Sequence, residues 1–183
     1  MTQEWVVLLR GINVGGRNSL PMAALRDMLD DIGCAEVRTY IQSGNCVVAW
    51  EGDGVALAEN LASSVFAAYG FKPWVLALPM DAFAAALAAN PFTVDEGLEK
   101  TVHLFFMATS PDALDAPAVD TAVLDALRAP SEAFSVVGSV FYLHAPNGIG
   151  RSKLTARLEA AIGVDVTGRN LRTARAIYAL ARR

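Results

Sequence analysis

Arg10, Gly11, Asn13, Gly15, Gly16 and Arg17 crowd into "RGINVGGR", between an apolar run and Pro21. Glycine lets a backbone take positive φ and approach a ligand closely. Asparagine tolerates the same left-handed region and bonds to local backbone. Two guanidiniums beside such a turn, just ahead of a helix, make a candidate anion site, because the first amides of a helix have no partner within it. The spacing fits neither the G-x-x-x-x-G-K-[ST] phosphate loop nor the G-x-G-x-x-G dinucleotide loop. The plainer alternative is a glycine turn with a structural arginine.

Three further stretches carry polar chemistry. "APNGIGRSKL", Ala145 to Leu154, passes Gly148 and Gly150 before Arg151, Ser152 and Lys153. A turn of successive amides there can cradle an anion. Arg151 can chelate two oxygens, whereas Lys153 is a point charge. Ser152 stands where a helix N-cap belongs, a position that occupies its hydroxyl and makes it a poor nucleophile. "TGRNLRTAR", Thr167 to Arg175, puts Arg169 and Asn170 ahead of a helix on which Arg172 and Arg175 lie one turn apart. "YIQSGN" supplies Gln42, Ser43 and Asn45 at a hairpin turn, and Ser43 lacks the G-x-S-x-G setting of a hydrolase nucleophile.

His103 and His144 each fall in a strand-like run with no carboxylate at ligand spacing, so both read as structural. Cys34 and Cys46 set up neither a disulfide framework nor a metal site. The residues call for no metal and no cofactor, and RNA-binding aromatics at consensus spacing are missing.

The elements that must position these residues follow from apolar periodicity. Strands are expected at Glu4–Ile12, Val37–Gln42, Cys46–Trp50 and Pro73–Pro79, with helices over Met22–Ile32 and from Val55 to near Gly70. That is β-α-β-β-α-β, the ferredoxin-like order. A bridging helix, Met80–Ala89, leads to a strand at Thr101–Ala108. One broken helix or two short ones follow over Pro111–Arg128, interrupted at Pro117. A hairpin at Ala133–Gly138 and Val140–Pro146, a helix at Ser152–Gly163, a short strand at Val164–Val166 and a final helix at Leu171–Arg183 repeat the order. The fold class expected is α+β: two ferredoxin-like (alpha-beta plait) βαββαβ halves with added helices, residues 1–79 and 80–183.

Bulk composition bounds the function classes. The chain has 183 residues, of which 54% are hydrophobic, enough for an ordinary core. The longest purely apolar run, Ala82–Ala89, falls short of the roughly 20 residues of a membrane span. The start lacks the basic region of a signal peptide, so the expected setting is cytoplasmic, with no membrane partner. Net charge is −4 but unevenly spread. Met1–Gly150 carries 7 basic against 17 acidic residues, −10, and Arg151–Arg183 carries 8 against 2, +6. The basic segment either docks on acidic surface of the same chain or presents an anion-binding face.

Taken together, "LLRGINVGG", "YIQSGN", "YLHAPNGIGRSKL" and "TGRN", in this order along the chain, resemble the DUF 1697 family, bacterial domains of unknown function. The resemblance covers essentially the whole chain. It implies two ferredoxin-like halves and no established activity. It places Arg10, Gly11, Asn13, Gly15 and Gly16 in the first motif and Gln42, Ser43, Gly44 and Asn45 in the second. Gly148, Gly150, Arg151, Ser152 and Lys153 stand in the third, and Arg169 and Asn170 in the fourth. After "RN" that family carries tryptophan, then asparagine before the threonine. Leu171 and Arg172 stand there in this chain, replacing an aromatic group and adding a cation.

The function expected from these readings is binding of a phosphate-bearing ligand, a nucleotide or nucleic acid, through the Arg/Gly/Asn loops. The alternatives are a structural or oligomerisation module, in which the motifs are turn and cap chemistry, and an enzyme acting on a phosphorylated small molecule.

Overall fold

Continuous apolarity from Trp5 to Leu9 calls for a strand buried on both faces, and all five residues are buried in β1 (Gln3–Leu9). The computed structural model, which describes residues 2–108 and 119–182, makes β1 a central strand. It pairs antiparallel with β3 (Asn45–Trp50), Val6 opposite Val47, and with β4 (Val75–Pro79), Val6 opposite Leu78. β2 (Ala35–Tyr40) completes the order β2-β3-β1-β4. α1 (Met22–Asp31) buries Met22, Leu25 and Leu29, and α2 (Gly54–Tyr69) buries Leu57, Leu61 and Val65. These side chains pack with Trp5, Val7, Leu9, Cys46 and Val48 into one core. The Asp53 carboxylate starts α2 by accepting the Ala56 N–H at 2.7 Å.

The bounds of β1 and β2 differ from the sequence expectation. β1 ends at Leu9 rather than Ile12, because the chain turns at Gly11 (φ 69°) once the Arg10 amide has bonded to the Trp74 carbonyl. β2 starts at Ala35 rather than Val37. Its register slips between Ala35 and Arg38, where Glu36 takes φ 52°, and it ends at Tyr40, before Ile41 at φ 50°.

After α3 (Met80–Ala88) and a single 3-10 turn at Glu99–Thr101, the chain builds a second antiparallel sheet. Its strands are β5 (Val102–Met107), β6 (Ala133–Val137), β7 (Val140–His144) and β8 (Val166–Asn170), in the order β6-β7-β5-β8. α4 (Thr121–Leu127) lies between β5 and β6, and α5 (Lys153–Ile162) between β7 and β8. α6 (Leu171–Leu180) ends the fold. Phe105, Met107, Phe141 and Leu143 pack with Leu124, Leu154 and Leu158. The helix break expected at Pro117 lies outside the described residues.

The last strand is Val166–Asn170, not Val164–Val166, so "TGRN" is strand rather than loop. Gly168 explains the placement: a Cβ there would sit 2.6 Å from Phe105 Cε1, so only glycine lets β8 lie against that ring. The protein is thus α+β, with two four-stranded antiparallel sheets and six α-helices among the described residues. It divides into two compact units, Met1–Ala85 with Ala176–Arg183, and Ala86–Arg175. No helix among the described residues is long and apolar enough to cross a membrane.

Candidate functional site

In the first unit, "RGINVGGR" folds into a small finger. The Arg17 N–H donates to the Val14 carbonyl at 3.0 Å around Gly15 (φ 58°) and Gly16 (φ 73°). Positive φ at both central positions is the signature of a type I′ turn, which explains the paired glycines. The Asn13 N–H donates to the Asn18 carbonyl at 3.0 Å one step below. The Asn13 side chain is fully engaged. Its amide nitrogen donates to the carbonyls of Leu20 and Gln42, and its oxygen accepts the Leu20 N–H, each at 2.8 Å. Asn13 therefore staples the finger to the β2–β3 turn.

That turn is held as tightly. Asn45 is fully buried and donates to the Tyr40 carbonyl and to Ser43 Oγ, at 3.2 and 2.9 Å. Between them Gly44 has φ 69°, and a Cβ there would fall 2.7 Å from Leu9 Cβ. Gln42 contributes its backbone carbonyl to Asn13 and leaves its side chain exposed. Arg10 is half-buried, and Arg17 is exposed on the finger with Gly11, Gly15 and Gly16. The structure thus brings the first and second motifs together, with asparagines as structural ties.

In the second unit the β7–α5 loop lines a cleft of about 410 Å³. Asn147, Gly148, Gly150, Arg151 and Ser152 form one wall, and Ser131 and Glu132, ahead of β6, form the other. Ser152 is the expected cap: it is buried, and its Oγ accepts the Thr155 N–H at 3.1 Å. The amides of Gly148 and Ser152 are used within the loop, on the Ala145 and Ile149 carbonyls. The amides of Lys153 and Leu154 remain as first-turn donors without a partner inside α5. Arg151 is exposed, and nothing lies within 4 Å of a Cβ built at Gly148 or Gly150, so the loop faces open space. Asn147 reaches across to Ser131 Oγ at 3.2 Å.

Glu132, like its neighbour Ser131, is a cleft residue that the sequence does not single out. "APSEAF" looks like a turn ahead of a strand, and only the tertiary fold shows the carboxylate to be buried at 6% exposure beside the third motif.

The other predicted residues lie elsewhere. Lys153 opens α5 with an exposed side chain and is not in the cleft wall. Arg169 lies on β8, its guanidinium folded back onto Thr167 Oγ1 and the Gly168 carbonyl at 2.9 and 2.8 Å. Asn170 caps α6, its Oδ1 accepting the Thr173 N–H at 2.9 Å. His103 and His144 both sit in the second sheet, opposite Leu143 and Val102 respectively. His103 is buried against Phe105, and burial lowers its pKa against a smaller upward pull from the Thr101 backbone. No group of three or more His, Cys, Asp or Glu side chains fit to hold a metal occurs among the described residues.

The family model for DUF1697, a protein of unknown function, matches residues 1–142. The chain belongs to the DUF1697 family. This DUF1697 protein is also similar to a solved structure, that of the conserved bacterial protein SP0830 from Streptococcus pneumoniae. The two are 25% identical and superpose with a TM-score of 0.72 over 98% of this chain and 99% of that one. No curated protein matches the sequence significantly. The family match takes in the finger, the stapled turn and most of the second sheet. The glycine loop and Arg151 lie just beyond its end, inside the stretch shared with the pneumococcal structure.

Proposed function

We propose that this DUF1697 protein binds a phosphate-bearing ligand, a nucleotide or a segment of nucleic acid, in the cleft between the β7–α5 loop and the start of β6. The observation that carries the reading is Arg151. It is an exposed guanidinium in the wall of a cleft of about 410 Å³, at the N-terminus of α5, beside glycines that leave room for a ligand. Guanidinium and helix amides together favour phosphate oxygens. Arg17, exposed on the finger of the first unit with Arg10 at its base, is on the same reading a candidate for a separate phosphate contact within that unit.

The scaffold on this reading is a pair of ferredoxin-like halves. In support, the β2-β3-β1-β4 order of the first sheet recurs as β6-β7-β5-β8 in the second. The fold carries no functional argument by itself. The test is a thermal-shift screen over nucleotides, inorganic phosphate and short oligonucleotides at low and moderate salt. A ligand bound only by the folded state raises the melting temperature by mass action, and phosphate contacts make the rise salt-sensitive. Arg151→Ala removes the rise if the cleft is the site. A rise that persists in Arg151→Ala assigns the ligand elsewhere, and the absence of any rise overturns the proposal.

A second reading, an interaction module, has its own observation. Phe66 and Tyr69 stand 55% and 39% exposed, one turn apart on α2. Concentration-dependent association abolished by Phe66→Ser supports it, and a monomer at high concentration removes it.

A further inference from the structure

Resting on the phosphate reading of the same cleft, we infer that its ligand is the phosphate ester of a polyhydroxylated compound, a sugar phosphate or the ribose phosphate part of a nucleotide, whose hydroxyls are received by Glu132. A bare phosphate and a carboxylate repel each other, so a cleft meant for the anion alone gains nothing from Glu132. Yet Glu132 lines it at 6% exposure. A carboxylate that buried needs donors around both oxygens. Oε2 has one, the Ala129 N–H at 2.9 Å. Oε1 receives no hydrogen bond from a described residue and is not one of the fully buried atoms, so it opens to the cleft, where water or a ligand must supply its donor.

The nearest cation along the chain does not neutralise it. Arg128 spends Nε on Asp125 at 2.7 Å and Nη1 on the Glu132 backbone carbonyl at 2.9 Å, not on the carboxylate. Arg151 shares the cleft and forms no ion pair with Glu132. One cleft therefore presents a cation and a carboxylate that have not collapsed on each other.

A ligand that satisfies both must be anionic at one end and a hydrogen-bond donor at the other. A phosphate ester of a polyol is that chemistry. Its phosphate faces Arg151 and the first amides of α5, and its hydroxyls donate to Oε1. The volume, about 410 Å³, lies in the range of small-molecule pockets, roughly 300–1,000 Å³. The Asn147 amide, held at 3.2 Å to Ser131 Oγ, adds a further polar pair to the wall.

The experiment titrates the full chain, by calorimetry, with ribose 5-phosphate and with methyl phosphate, which carries the same ester charge and no hydroxyl. Wild type, Glu132→Gln and Arg151→Ala are compared. The side-chain carbonyl introduced by Glu132→Gln still accepts the Ala129 N–H, so that change preserves the local fold. Wild type is expected to bind ribose 5-phosphate about tenfold tighter than methyl phosphate, the scale of a hydrogen bond to a charged acceptor. In Glu132→Gln the two affinities converge while methyl phosphate holds or tightens, and in Arg151→Ala both weaken. Equal affinities in wild type, or a tenfold preference that survives Glu132→Gln, overturn the hydroxyl inference and leave the phosphate reading standing. Failure of wild type to bind either compound overturns both.

Discussion

Replacing Asn13 tests whether "RGINVGG" is organised by its own side chains. The side chain makes three hydrogen bonds of 2.8 Å, two to Leu20 and one to Gln42. The two to Leu20 are partly buried and contribute about 1 kcal/mol each; the one to Gln42 is exposed and adds less. Asn13→Gly, which keeps the left-handed backbone available, is therefore expected to cost about 2 kcal/mol. Asn13→Ala adds the steric cost of a Cβ at φ 54°, about 1 kcal/mol, for a total of about 3. For a chain of this length each kcal/mol lowers Tm by about 2–4 °C, so Asn13→Ala is expected to melt some 6–12 °C below wild type. Asn13→Asp retains the acceptor for the Leu20 N–H but turns a carboxylate toward two carbonyls, and ranks with alanine or below. Urea unfolding and thermal melts of the three variants measure the order. If Asn13→Ala melts with wild type, the staple is energetically idle and the structural account of the motif fails. If stability is unchanged while phosphate binding falls, Asn13 is a ligand contact instead.

Tyr142 is fully buried and donates its O–H to the Ala86 carbonyl at 2.7 Å, in the last turn of α3, where helix carbonyls have no internal partner. Tyr142→Phe is expected to cost about 1–3 kcal/mol in a urea titration. Burial also pushes this phenol up to about 12, so spectroscopic titration should show a tyrosine resisting ionisation at pH 11 in wild type that is lost in the variant. Gly44→Ala, which drives a Cβ to 2.7 Å from Leu9 Cβ at φ 69°, is expected to destabilise by about 3 kcal/mol, against about 1 for Gly148→Ala, where only the backbone angle objects. Equal losses at the two glycines refute the packing argument. The neutral form of His103 is the one the fold accommodates, its pKa lying below the ordinary 6.5 through burial. Its contribution to stability is present above pH 6.5 and is lost as pH falls through the folded-state value, so His103→Gln should flatten the stability curve between pH 7 and 5, with the wild-type slope in the variant as the contrary result.

Legibility of the fold follows apolar spacing. β1, α1 and α2 are readable because Trp5–Leu9, Met22/Leu25/Leu29 and Leu57/Leu61/Val65 carry the period of the element they build. β8 is not, because "VTGRN" has neither alternation nor β-branched density across its length. Its place is set by the Phe105 ring under Gly168, a partner far away in sequence. At the site, Ser152 is legible as a cap because the helix it starts is local. Whether Asn13 faces a ligand or the chain is not, since one of its acceptors, the Gln42 carbonyl, comes from another turn. Glu132 gives no signal at all, because a lone acidic residue after a proline and a serine is ordinary surface sequence until the fold buries it.

The basic C-terminal segment illustrates how far charge alone misleads. Of its arginines, Arg169 bonds to its own strand, Arg175 lies 3.8 Å from Glu99, and Arg182 sits over the Tyr178 ring at 5.2 Å. These three guanidiniums are thus engaged within the chain, one of them by a carboxylate. Pairs at the surface such as Arg175–Glu99 contribute little stability, so their arrangement sets where positive charge is available more than how firmly the fold holds. Arg157 and Arg172 remain exposed on helices, where they act as diffuse attraction for any anion. Arg151 differs from both because it lines a cleft together with Glu132, and on the proposed reading a cation beside an unpaired carboxylate selects among anions where an open basic face does not. On the proposed reading, selectivity rests on Arg151 and Glu132 sharing one cleft more than on the size of the positive charge.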